Sequence, residues 1–218
     1  MRAKEKESSR EAEIYEGLER HLIFFEKLFV SKISKLIKNG KEFRILDIGT
    51  GTATIPIMLC KKNKNVFVTA LDYSEEMLKI AKKKIKNNKL ESRISLIKAN
   101  AEKKLPFKDK SFDIVISHHT LHHLSNIEML LKESLRVCKI NGKVIIKDLI
   151  RPKNKFLINL YVNIFGFNYG KQGKKLYKNS LNAAFTLKEI KFLMEEAGTK
   201  GKISSNFLTH FTIELKKS

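Results

Sequence analysis

The chain has only two cysteines in 218 residues. Cys60 and Cys138 both fall in apolar stretches read as helical, which predicts buried free thiols rather than a disulfide or a nucleophile. No run approaches the ~18 apolar residues that a membrane-spanning helix needs. Met1 to Arg10 is charged and lacks the apolar centre of a secretory signal, so a cytoplasmic chain is expected. Internal repeats and low-complexity segments are absent. Carboxylates are scarce, 23 against 44 basic residues, which leaves a net charge of +21. Such an excess suits a polyanionic partner. However, 37 of the 44 are lysines spread along the whole chain, and no stretch alternates arginine with aromatics as a single-strand platform does. A generally basic surface is favoured over a nucleic-acid footprint.

A third glycine is missing where a dinucleotide site would need it. Phe43-Arg44-Ile45-Leu46-Asp47-Ile48-Gly49-Thr50-Gly51-Thr52-Ala53-Thr54 reads as a short strand, a tight glycine turn and the start of a helix. Such a turn lets backbone approach a ligand closely and aims unpaired helix N–H groups at it. The third fingerprint position is Thr54, and Asp47 stands two residues before the first glycine, where it would repel a pyrophosphate. A carboxylate there attracts a cation instead. Asn65 to Leu71 is a second apolar run that ends in Asp72, 21 residues beyond Gly51. An acid at that spacing is placed to accept from ribose hydroxyls. A nucleoside with an ammonium group and a sulfonium fits both acids, and S-adenosyl-L-methionine is that ligand.

The rest of the chain alternates strand and helix. Apolar residues from Ser8 to Lys38 recur at helical spacing and predict a helical cap over 8–39. Strands follow at 43–48, 66–71, 94–98, 112–117 and 143–148, with helices from Thr52, from Ser74 to Asn88 and from Asn126 to Cys138. Asn141-Gly142 is read as a turn. Two apolar segments, 156–167 and 176–185, flank the basic loop 170–175, so 150–185 is read as a lid insertion. The stripe Phe156, Leu157, Leu160, Tyr161, Ile164 and Phe165 makes the first segment helical. A helix over 187–197 and two closing strands complete the chain. The pattern predicts an α/β fold: a doubly wound, mostly parallel, seven-stranded sheet with its ligand crevice at the carboxyl ends of the strands.

Three further constellations fall at those strand ends. Asn100 and Ala101 offer a side-chain amide and a backbone N–H to a purine edge. His118, His119, His122 and His123 place four histidines in six residues, with no Cys, Asp or Glu in the segment to complete a ligand set, so no metal is expected. The first two are read as crevice floor and as candidate general bases, and the second two as partly buried and hydrogen-bonded. Arg151 either binds an anionic group on the substrate or pairs with Asp148.

Ile45 to Gly51, Leu71-Asp72-Tyr73-Ser74, Ala101-Glu102 to Phe107, Ser111 to Val115, Leu121-His122-His123-Leu124 and Arg136-Val137 together resemble the class I S-adenosylmethionine-dependent methyltransferases. The likeness is to the subgroup that contains the quinone-biosynthesis C-methyltransferases, and it covers about residues 40 to 150. It implies one Rossmann-like methyltransferase domain over 1–218. Asp47, Gly49 and Gly51 would hold the methionine part, Asp72 the ribose, and Asn100 and Ala101 the adenine, with Ile48, Thr50, Tyr73, Met77 and Glu102 also among the cofactor-binding residues. Ser117 and His118 would lie at the sulfonium end, with Tyr15 also against the cofactor. His119, His122, Arg151 and Tyr161 would face the acceptor. Relatives often carry Pro-Gly-Gly where this chain has Lys139 to Lys143, and Asp where it has Asn100. The implied reaction is methyl transfer to a small, apolar or aromatic-bearing acceptor. The rivals are an RNA or protein methyltransferase, a nicotinamide-dependent oxidoreductase and a non-catalytic adenosylmethionine-binding module.

Overall fold

The computed structural model describes residues 23, 25–38, 40–167, 169–206 and 209–216. Seven strands form one sheet: β1 (Phe43–Ile48), β2 (Val66–Asp72), β3 (Ile94–Lys98), β4 (Phe112–His118), β5 (Cys138–Leu149), β6 (Lys200–Asn206) and β7 (His210–Lys216). Their order is β3-β2-β1-β4-β5-β7-β6. The first five are parallel, and β7 runs antiparallel to both β5 and β6. The reading of a mostly parallel, doubly wound sheet with two closing strands agrees with this architecture.

Side-chain alternation divides the sheet into two cores. Phe43 and Ile45 of β1, Val68 and Ala70 of β2, and Ile114 and Ile116 of β4 face one side. There they pack on Phe29, Val30 and Ile33 of helix α1 (25–34), on α2 (Thr54–Lys62), and on Ala81 and Ile85 of α3 (Glu75–Asn87). Leu46, Ile48, Val115, Val144 and Ile146 face the other side, against α4 (Ile127–Val137) and α7 (Leu187–Glu196). β4 is buried along its whole length, as a central parallel strand covered on both faces should be. Helix starts follow their caps: Ser74 accepts from the Met77 N–H, Asn126 from the Met129 N–H, and Thr186 with Glu189 closes a reciprocal box.

Several expectations change. Of the expected cap over 8–39, residues 23 and 25–38 are described, and they are helical at 23 and 25–34; Tyr15 lies outside the described residues. Cys138 opens β5 instead of ending a helix, although both thiols are buried and free as expected. Asn141-Gly142 does not turn the chain into β5 but lies within it, where β4 pairs Phe112 with Cys138 and then Ile114 with Lys143, leaving four residues bulged. Gly142 fits there because a Cβ would stand 2.5 Å from Cys138 Sγ and 2.7 Å from the Asp113 carbonyl.

The basic loop at 170–175 is helical. It forms the first turns of α6 (Gly170–Ala183), which packs on α5 (Lys155–Phe165). Gly173, Leu176, Tyr177, Ser180 and Leu181 recur at three and four residues and turn inward, while Lys171, Lys175 and Lys178 are exposed. The lysine run masked a helical period that two glycines alone do not break. The expected α5 stripe also divides. Ile158 and Val162 are the buried positions and join Leu149, Leu181 and Ala184 in a small third core, whereas Phe156, Leu160 and Ile164 are exposed.

Candidate active site

β1 has β2 on one side and β4 on the other, so the chain reverses direction across the sheet at the carboxyl end of β1. A crevice opens at such a point. Here it is a cavity of about 610 Å³.

The glycine turn forms its floor. Gly49 and Thr50 both donate backbone N–H bonds to the Leu71 carbonyl, at 2.8 and 2.9 Å, which fastens the turn to β2. Gly49, Gly51 and Ala53 have φ of 75°, 55° and 63°, a left-handed series that curls the backbone into a concave cradle. A Cβ on Gly49 would stand 2.2 Å from Thr120 Oγ1, whereas one on Gly51 would project into open space. The first glycine is required by protein packing and the second keeps the cradle clear.

Two carboxylates border the turn, Asp47 buried and Asp72 half-buried. Asp72 Oδ2 accepts from the Gly51 N–H at 2.7 Å and Oδ1 from the Ser74 N–H at 2.9 Å. Burial raises its pKa against those bonds. Each oxygen keeps further acceptor capacity toward the cavity. Asp47 is buried at the end of β1, and burial pushes its carboxyl up to about 7. The Thr50 hydroxyl, donating to Oδ2 at 2.7 Å, works against that rise, and the charge of Asp72 adds to it. A positively charged ligand group at this place would satisfy both acids.

Asn100, Ala101, Glu102, Tyr73 and Met77 also line the cavity. Asn100 Oδ1 accepts from the Glu102 N–H at 2.8 Å, which fixes its amide. Glu102 Oε1 accepts from Ser125 and Asn126 N–H at 2.6 and 2.8 Å, so it braces the start of α4.

The histidines form the opposite wall. His118 and His119 stack with ring centroids 4.0 Å apart, and His118 also packs on Phe29. The buried Nε2 of His118 has no hydrogen-bond partner among the described residues. His119 has φ of 56° and its N–H donates to the Lys147 carbonyl at 2.9 Å, a constrained backbone that aims its ring at β7. There its Nε2 lies 2.9 Å from His210 Nε2, and His210 Nδ1 lies 2.8 Å from Thr209 Oγ1. Burial first, and then neighbouring positive charge, holds His118 and His119 well below the ordinary imidazole range; the same causes push His210 down to about 3. All three are neutral at physiological pH. His122 and His123 also line the cavity, and His122 Nδ1 is 2.7 Å from the buried Asp148 Oδ1.

The structure places other expected site residues elsewhere. Ser117 donates to the Ile48 carbonyl at 2.9 Å and ties β4 to β1, and neither residue lines the cavity. Arg151 pairs with Glu189, not Asp148, and also lies outside the lining. Tyr161 packs edge-on against Phe165 within the α5–α6 pair. Phe165, Tyr169, Leu176 and Tyr177 line the cavity in its place. Phe25, Thr209 and His210 join from outside the βαβ unit, and no local motif marks them.

Residues 46–146 match a family described as a methyltransferase domain. The demethylmenaquinone methyltransferase of Thermotoga maritima is 32% identical over 147 residues, covering 67% of this chain and 61% of that protein. The ubiquinone/menaquinone biosynthesis C-methyltransferase of Rickettsia bellii is 32% identical over 184 residues, covering 78% and 71%. Other such enzymes, from Wigglesworthia glossinidia and Rickettsia prowazekii, are spanned over 59% and 55% of their length. Among solved structures, the plantazolicin methyltransferase in complex with SAH superposes with a TM-score of 0.73 at 18% identity, covering 94% of this chain and 90% of that one. A structure from Methanococcus maripaludis, described as a putative S-adenosyl-L-methionine-dependent methyltransferase, gives 0.71 at 19%, covering 98% and 93%. Those superpositions establish the shared fold, and the sequence likeness goes further: the chain belongs to the class I S-adenosylmethionine-dependent methyltransferases, in the branch that includes the ubiquinone/menaquinone biosynthesis enzymes.

Proposed function

We propose that this protein transfers a methyl group from S-adenosylmethionine to a ring carbon of a small demethylated quinol. One observation carries the cofactor reading. In a chain with 44 basic and 23 acidic residues, the described residues that line the cavity include Glu26, Asp47, Asp72 and Glu102 but no Lys or Arg. A pyrophosphate or RNA backbone would be repelled there, and a sulfonium with an ammonium group is attracted. The lysines gather elsewhere: Lys35, Lys38, Lys41, Lys110, Lys139 and Lys143 ring a hollow by the amino ends of β1 and β4.

Asp72 would accept from the ribose hydroxyls, Asp47 would face the ammonium group, and Asn100 with Ala101 would meet the adenine. The bound cofactor supplies a methyl carbon already activated by its sulfonium. The chain therefore has to orient the acceptor, exclude water and take up a proton; orientation alone contributes on the order of 7–11 kcal/mol. Phe25, Leu149, Phe165, Leu176 and Tyr177 form an apolar and aromatic wall for the acceptor ring. Helices α5 and α6 act as its lid. The proton that the ring carbon loses goes to the His119–His210 pair. One imidazole donates to the other across the 2.9 Å contact and Thr209 Oγ1 holds the His210 ring, so the neutral pair keeps His119 oriented as a transient proton acceptor. Incubation with methyl-labelled S-adenosylmethionine and a short-chain demethylated quinol tests the proposal. Label on the ring carbon is expected; label only on amine or RNA acceptors would reassign the substrate.

Asp47 gives the site a pH signature. Its carboxyl titrates near 7 in the free protein, and a cationic ligand favours the charged form. Affinity is therefore full above pH 7 and falls as pH drops through it. Between pH 7.5 and 5.5, S-adenosylhomocysteine binding should weaken on the order of tenfold. Calorimetry of Asp47→Asn should show a flatter profile, and an unchanged pH dependence in that variant would remove Asp47 from the site.

A further inference from the structure

We infer that the outer face of α5, with the lysines of α6, docks the protein on an anionic lipid surface. Phe156, Leu160 and Ile164 project from one side of α5 at spacings of four residues, and Phe167 follows in the turn just beyond its end. The four are 73%, 39%, 57% and 74% exposed, and the three on α5 lie on the side opposite the buried Ile158 and Val162. A helix of this size normally needs one apolar side, and α5 has two. Monomeric soluble proteins seldom leave such an aromatic and aliphatic patch in water.

The charge around the patch identifies what covers it. From 149 to 188 the chain contains no Asp or Glu, while it carries seven lysines and Arg151. Arg151 is engaged by Glu189. Lys153, Lys155, Lys171, Lys175 and Lys178 are exposed around the two helices. An apolar helix side flanked by lysines and free of carboxylates fits the boundary of an anionic bilayer: the rings enter the acyl edge and the ammonium groups meet the headgroups. A protein partner would ordinarily be matched by mixed charge at the rim.

The position adds a consequence that rests on the proposed function. The inner side of the same pair supplies Phe165, Tyr169, Leu176 and Tyr177 to the cavity wall. A quinol dissolved in the bilayer would then reach the cavity between α5 and α6 without crossing water.

Sedimentation with vesicles tests this on the full chain, comparing pure phosphatidylcholine with a phosphatidylcholine–phosphatidylglycerol mixture. Binding to the mixed vesicles is expected, and it should weaken at high salt. The double variant Phe156→Asn/Ile164→Asn should lose at least tenfold in partitioning. Lys171→Gln/Lys175→Gln should lose several-fold on the mixed vesicles alone, with a shallower salt dependence. S-adenosylhomocysteine affinity measured on the same samples should be unchanged, which separates the membrane inference from the cofactor reading and confirms folding. Absence of binding to anionic vesicles at low salt, or equal binding by the Phe156/Ile164 variant, would overturn the inference. A wild-type dimer that this variant converts to monomer, without vesicle binding, would assign the face to a second copy and also overturn it.

Discussion

Asp148→Ala should cost about 3–5 kcal/mol of folding stability, because three buried donors lose their acceptor at ~1–3 kcal/mol each. Asp148 sits at the end of β5, fully enclosed, and accepts three hydrogen bonds. Leu121 N–H and Leu149 N–H each approach at 2.6 Å and His122 Nδ1 at 2.7 Å. Burial pushes its carboxyl up, but the nearby His122 and these bonds outweigh that and hold it below the usual carboxylate range. A depressed carboxyl stabilises the fold above its unfolded pKa, near 3.9, and that contribution is lost as pH falls through the folded value. Alanine would leave three buried donors unmet and free the turn Leu121–His123. Thr120, just before that turn, donates to the Ile48 carbonyl beside Gly49, so the glycine cradle should loosen with it. Urea unfolding at neutral pH measures the cost. A loss below 1 kcal/mol would mean that the pair does not hold the wall.

Asp72→Ala should weaken S-adenosylmethionine binding by roughly 2–3 kcal/mol, about 30- to 150-fold, the range for hydrogen bonds to a charged group. The carboxylate has two tasks. It holds the glycine turn through the Gly51 N–H and the start of α3 through the Ser74 N–H, and it presents further lone pairs to the ribose. Asp72→Asn keeps the shape but turns one of the two acceptor oxygens into a donor, so one backbone bond is lost with part of the ribose contact, and binding should fall less than in the alanine variant. Circular dichroism confirms that both variants remain folded. Equal affinity in wild type and a folded Asp72→Ala would remove Asp72 from the ribose position.

The sheet and the floor of the site were legible in the sequence because both depend on local pattern. Alternating apolar residues mark β1, β2 and β4, and Gly49, Gly51, Asp47 and Asp72 keep fixed spacings within one βαβ unit. The acceptor wall was not legible. His210 opens a strand 91 residues beyond His119, with Thr209 just before it, and only the antiparallel insertion of β7 beside β5 brings them there. Arg151 looked like a site residue because it follows a strand end, but its partner is set by the approach of α7, which no spacing records. Ser117 alternates to the wrong side of β4: one residue before His118, it turns toward the Ile48 carbonyl instead of the cavity. The lysines of α6 concealed a helix whose small and aromatic inner face completes the wall.

Isothermal titration of the wild-type protein with S-adenosylhomocysteine and, separately, with NAD tests the cavity's assignment most directly. Asp47 and Asp72 at the reversal point of the sheet, with no lysine or arginine in the described lining, predict saturable one-site binding of S-adenosylhomocysteine at neutral pH and none of NAD. Binding of NAD in its place, or of neither ligand by the folded protein, would contradict it.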